Sequence, residues 1–191
     1  MAISKFNYNS FNVTPVASTA LAFDADADGF STASATSMVL IKTLTASSSA
    51  NLSFVDGASS VVLDNTYPVY IFKYINIHPA TDNVQFRFNM SVDTGSNYNV
   101  AKTSTYFYAY HGEDASEGSG LTYYTAGDLA QGTGSQPLSY SLGNGNDESL
   151  SGELTIYNPS STTFVKHFIA NNNVYHKSNF SQERFVAGYG N

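Results

Sequence analysis

"VQFRFNMSV", Val84–Val92, alternates without a break. Val84, Phe86, Phe88, Met90 and Val92 share one parity, and Gln85, Arg87, Asn89 and Ser91 share the other. A period of two places each set on its own face of a pleated strand, so the stretch predicts a strand with one core face and Arg87 opposite. Sheets covered on one face only are antiparallel, which points the chain toward a sandwich.

The neighbouring segments extend this reading. "DTGSN" (93–97) is a turn, and "STYFYAYH" (104–111) resumes as an aromatic strand. Upstream, "YPVYIFKYINIHP" (67–79) carries apolar residues on both parities, which predicts a central strand covered on both faces. "MVLIKTLT" (38–45) reads as a further apolar strand, and "NLSFVDG" (51–57) and "SSVVLDN" (59–65) as two short ones around a turn at Asp56-Gly57. Residues 112–147 are rich in glycine and read as long loops, with a short element at "LTYY" and a single helical turn at "TAGDLAQ". Loops of that length usually carry function or meet a partner. "ESLSGELTIYNP" and "TTFVKHFIA" follow as strands around a turn at "NPSS", and "QERFVAGYG" is the last. About eight strands with frequent turns predict an all-β fold, a jelly-roll-like antiparallel β-sandwich.

Composition agrees. Charged residues make up 12% of the 191, about half the usual share. Fourteen tyrosines and thirteen phenylalanines suit pleated surfaces. The net charge is −7 with two arginines, Arg87 and Arg184, so the basic stripe of a nucleic-acid binder is missing and no nucleic-acid partner is expected. No apolar run approaches the length of a membrane span, so no membrane insertion is expected, and "MAISKFNYNS" lacks the apolar segment of a signal peptide. Zero cysteines exclude disulfides, thiolate catalysis and zinc–thiolate sites.

Residues 1–36 differ from the sandwich domain, 37–191. Phe6, Tyr8 and Phe11 stand among asparagines and serines in "FNYNSFNV", and the stretch continues into Ala, Ser, Thr and Asp. Such a segment builds no core of its own and reads as an extended N-terminal arm that docks its aromatics on a neighbouring protein. Within it, "DADADG" places Asp24, Asp26 and Asp28 at positions 1, 3 and 5 of an EF-hand loop with Gly29 at 6. Position 12 is Ala35, and the flanks "PVASTALAF" and "FSTASATSM" lack helical periodicity. The run therefore reads as an acidic loop, with a partial calcium site completed by ligands from elsewhere in the chain as the weaker alternative; no cofactor is expected.

Catalytic signals are weak. "YHGED" offers His111, Glu113 and Asp114 at a strand end, without a recognised metal-ligand spacing. His167 alternates with Val165 and Ile169 and is expected on a partly buried sheet surface with its ring hydrogen-bonded. Glu113, Glu117, Asp128, Asp147, Glu148 and Glu153 are the carboxylates from which a glycosidase pair would have to come. There is neither a Gly-x-Ser-x-Gly elbow nor a phosphate-binding glycine loop. Tyrosine faces with Asn, Asp and Gln suit sugar binding better than cleavage, although tryptophan is absent.

From residue 40 on, a succession of blocks resembles a known family: "NIHPATDNVQFRFNMSVDTGSNYNV", the "YAYH" strand, "LAQGTG", "DESLSGELTIYNPSSTTFVKHFIA" and the closing "AGYGN". They are similar to virion structural proteins of marine bacteriophages, especially cyanophages. The resemblance implies a non-enzymatic tail-fibre or appendage subunit, or a protein decorating the capsid surface. It implies localisation in the virion, and partners that are other virion proteins and copies of the chain itself, commonly as a homotrimer. A carbohydrate-binding adhesin module touching a host-surface glycan is the alternative. Relatives commonly continue past the equivalent of Asn191 with a further strand or two, so either the chain is shortened or its final sheet position is filled differently; an unfilled position would leave an exposed strand edge as a pairing site for another subunit.

Overall fold

The computed structural model describes residues 19–23, 30–34 and 38–191. The chain divides into two units, Met1–Thr43 and Leu44–Asn191.

In the first unit β1 (Thr19–Phe23) pairs antiparallel with β2 (Phe30–Ser34), with Phe23 opposite Phe30. The flanks of the aspartate run are thus strands, where an EF-hand requires helices. Neither strand is among those read from the sequence. Ala, Ser and Thr show little apolar periodicity, so the sequence signals no strand there. Asp24, Asp26 and Asp28, like Phe6, Tyr8 and Phe11, lie outside the described residues.

The second unit is an all-β antiparallel sandwich. Its main layer is a six-stranded sheet in the order β3-β8-β9-β10-β5-β6. The strands are β3 (Val69–Ile77), β5 (Lys102–Gly112), β6 (Ser119–Tyr123), β8 (Leu150–Tyr157), β9 (Lys166–His176) and β10 (Phe180–Gly190). The opposing layer has one short ladder, β4 (Arg87–Phe88) with β7 (Gln136–Pro137), continued by a bridge between Val84 and Leu142. The arrangement is jelly-roll-like in that strands distant in sequence are neighbours, β3 beside β8 and β5 beside β10. The helical elements among the described residues are two 3-10 turns, Ala115–Glu117 and Thr125–Gly127. Neither is long enough to cross a membrane.

Alternation builds the core. Leu154 and Ile156 of β8, Phe168 and Ala170 of β9, Val186 of β10 and Tyr106 of β5 meet Leu138 of the second layer. Phe86, Phe88 and Met90 pack on this cluster from the predicted face, Phe88 edge-on to Phe168 at 5.0 Å, while Arg87 is exposed. The face ends early, because Val92 is 77% exposed.

Three expectations need correction. "MVLIKTLT" forms no strand, and Met38, Val39 and Leu40 are exposed. An apolar run becomes a strand only where a ladder extends along it. The Asp56-Gly57 turn does form, with Gly57 at φ +75°, but its flanks stay irregular. β3 lies at a sheet edge rather than in the centre. Tyr70, Phe72 and Tyr74 face inward, whereas Val69, Ile71 and Ile75 face out, Ile75 at 75% exposure. The second apolar parity is therefore a surface, not a second core.

The C-terminal strand fills an interior position between β9 and β5, so the sheet edges are β3 and β6. Part of the glycine-rich stretch is interior as well. Gln136, Pro137, Leu138 and Ser139 are buried. A buried loop must satisfy its backbone polar groups without a full ladder: the Leu138 and Ser139 N–H groups donate to the Phe86 carbonyl, and side chains of the six-stranded sheet add further ties. Asn172 Nδ2 donates to the Leu138 carbonyl at 3.1 Å, and Arg184 donates to the Tyr140 carbonyl at 2.9 Å. The Ser104 hydroxyl donates to Gln136 Oε1 at 2.6 Å, while Gln136 Nε2 donates to the Gly127 carbonyl at 2.9 Å. These cross-layer bonds position a layer that has few strand bonds of its own.

Candidate functional surface

Strand alternation also dictates what the far side of the sheet presents. Register places Ile71, Thr155, Ile169, Ala187 and Thr105 in one row across β3, β8, β9, β10 and β5. The adjacent row runs Lys73, Glu153, Asn171, Phe185, Phe107 and Tyr123 across all six strands. Phe107 and Phe185 stack at 4.9 Å with planes 14° apart. Ile169 is 52% exposed and Leu121 73%. Residues of this kind at the open face of a soluble protein mark a contact surface when they are contiguous.

A shallow trough of about 420 Å³ crosses this face, lined by Thr103, Thr105, His167, Ile169, Ala187 and Tyr189. Small side chains at Ala187 and Thr105 lie between bulkier neighbours, Tyr189 and Ile169 among them. Charge is sparse. Lys73 Nζ and Glu153 Oε2 pair at 3.2 Å, and Glu183 accepts from Asn173 at 3.2 Å.

The residues singled out from sequence are dispersed. His111 has its Nδ1 2.7 Å from the Gly112 carbonyl. Glu113 accepts a hydrogen bond from the Tyr175 hydroxyl at 2.9 Å. Asp114 accepts from the Ser116 backbone N–H at 2.8 Å and caps the 3-10 turn, and that bond holds its carboxyl below the usual range. With Glu117 and Asn179, the two acids line an open cavity of about 340 Å³ that excludes His111 from its walls. No group of three or more His, Cys, Asp or Glu among the described residues is placed to hold a metal.

Other carboxylates serve local structure. Asp128 accepts from the Tyr123 hydroxyl at 2.6 Å, Glu148 accepts from the Gly145 backbone N–H, and Glu153 pairs with Lys73. Asp64, Asp93 and Asp114 are held down by hydrogen bonds, Asp93 to about 2. His167 is exposed rather than partly buried, edge-on to Tyr189 at 6.3 Å. It stands on the outer parity of β9, opposite to Phe168.

The outer face itself escaped the sequence reading. Its signal was present as the second apolar parity of β3 and as Ile169 beside buried Phe168. Period-two patterns say that two faces exist, not which of two apolar faces meets the core. No family model matches the chain, and no match was found among curated proteins or solved structures.

Proposed function

We propose that this chain is a bacteriophage virion structural protein, a tail-fibre or appendage subunit, with decoration of the capsid surface as the second placement. It works by binding other virion proteins and copies of itself, not by catalysis. The observation that carries this reading is the broad apolar outer face of a sheet whose inner face packs on the opposing layer. Such a scaffold offers a large contact area and a rigid shape. The family resemblance adds the setting: a virion, with a homotrimer as the implied assembly. Particles of the phage that encodes the chain, purified on a gradient and analysed by quantitative mass spectrometry, should contain it in a fixed ratio to the capsid protein. Its absence from purified particles would refute the reading.

Host-glycan binding by an adhesin module is the second reading, favoured by the Tyr189 ring and the Thr103 and Thr105 hydroxyls around the trough. Aromatic faces beside hydroxyl groups suit sugar rings. Glycan-array binding that is lost in Tyr189→Ala would support it.

A further inference from the structure

We propose that the outer face of the six-stranded sheet is where two copies of this chain meet, each presenting the same rows of side chains. The inference rests on the self-association proposed above and adds where it occurs; a face that meets its own copy makes a two-fold contact, a dimer in place of the three-fold assembly that the resemblance implies.

Area comes first. Val69, Ile71, Phe107, Leu121, Tyr123 and Ile169 retain between 39% and 73% of their surface. Together they expose roughly 600 Å², against about 800 Å² per partner in a standard interface. The Thr, Ala and Asn side chains between them supply the remainder. A single sugar would cover only the trough, leaving the rest of the face bare. A second sheet, packing about 10 Å away, covers all of it.

Charge agrees with a self-complementary contact. The molecule carries −7 overall, which opposes association in general. On this face Lys73 is already neutralised by Glu153, and Glu183 is hydrogen-bonded to Asn173. Two identical faces therefore meet with little like-charge repulsion.

The sheet edges are poor alternatives. β3 is interrupted by a register shift between Tyr74 and Ile77, with Asn76 at φ +52°, and β6 is five residues long. Bulges and short edge strands are devices that prevent edge-to-edge pairing. What the edges discourage, the face permits.

Sedimentation velocity on the full chain over a range of concentrations tests the proposal. The wild type should be oligomeric, and Ile169→Glu or Ala187→Arg should shift it to monomer at the same concentration with an unchanged far-UV spectrum. Arg87→Glu, exposed on β4 of the opposing layer, should leave the oligomer intact. Two charge substitutions at separate positions guard against one of them misfolding. A wild type that stays monomeric, or an oligomer that tolerates both face substitutions, overturns the assignment. So does a monomer that binds glycans through Tyr189. Absence from the virion would refute the structural role and leave a face-dependent oligomer standing, so the two failures are distinguishable.

Discussion

At the scale of single residues, the interior holds two cations with no carboxylate in ion-pair contact among the described residues. Arg184 donates to the Tyr106 hydroxyl at 2.8 Å, to the Tyr140 carbonyl and to Gln182 Oε1, and its guanidinium lies 5.2 Å from the Tyr108 ring centroid. A planar fork reaches these acceptors together and an ammonium does not. Arg184→Lys should therefore cost about 2–4 kcal/mol, read by urea denaturation. Lys102 Nζ donates to Asn89 Oδ1 at 2.5 Å and to the Val100 carbonyl at 2.7 Å. Burial pushes its ammonium down from 10.5 to about 8. Between those values the unfolded chain holds a proton that the folded chain has released, so stability rises with pH across the window. The tyrosines act oppositely. Burial raises the Tyr106 phenol from 10.0 to about 12 and raises Tyr74 as well. Above about pH 10 the unfolded state loses protons that the folded state keeps, and stability falls. Thermal or urea unfolding should thus show stability rising from pH 8 to about 10, on the order of 2 kcal/mol, then declining. Lys102→Met should flatten the rise and keep the decline.

Among elements, β10 governs the sheet. It pairs along its whole length with β9 on one side and β5 on the other. Deleting residues 180–191 removes the centre of the main layer, and the truncated chain should lose cooperative unfolding. Amide exchange should be slowest in β9 and β10 and fastest in β6, which has a single neighbour. Within β10, Gly188 is required by close approach. A methyl there would meet the Thr103 carbonyl and come within 2.7 Å of the Phe168 ring. Gly188→Ala should destabilise by about 1–3 kcal/mol, since backbone and a fully buried ring leave little room to yield. In the first unit, the β1–β2 pairing makes a hairpin of the flanks of Asp24, Asp26 and Asp28. Chelation should leave the melting temperature unchanged at physiological calcium. A clear drop, abolished in Asp26→Ala, would mean that bound calcium contributes to folding.

For the whole molecule, the two layers are unequal in kind. One is a ladder of six strands, and the other is held largely by side chains reaching across from the first. Its geometry therefore depends on buried polar groups being satisfied in pairs. Asn172→Leu should destabilise by about 1–3 kcal/mol, because it orphans the Leu138 carbonyl and the Tyr74 hydroxyl, which donates to Asn172. Chemical denaturation of the purified variant measures this. An equal loss in Ser104→Ala, which frees Gln136 Oε1, would indicate that the layer is held by the set rather than by one tie.

Periodicity in the sequence alone determined the fold class, most of the strands and the inward face of Phe86, Phe88 and Met90. Alternation is a local property, and a strand carries it wherever it ends up. Turn chemistry was local too, and Asp56-Gly57, "NPSS" and the helical turn at "TAGDLAQ" appeared where they were read. What tertiary structure decided was neighbourhood. Whether "YPVYIFKYINIHP" is central or at an edge depends on which strand pairs beside it, and the last strand is central because β5 and β9 flank it. The same holds for the glycine-rich stretch, whose buried half is recognisable only once Asn172, Ser104 and Arg184 are seen reaching for it. Among the described candidate site residues, His111, Glu113 and Asp114 are adjacent in sequence, yet His111 stands apart from the cavity the two acids line. The outer face, by contrast, gathers residues from β3 to β10. Pairing register is a long-range outcome of which apolar faces find each other, and no local pattern encodes it.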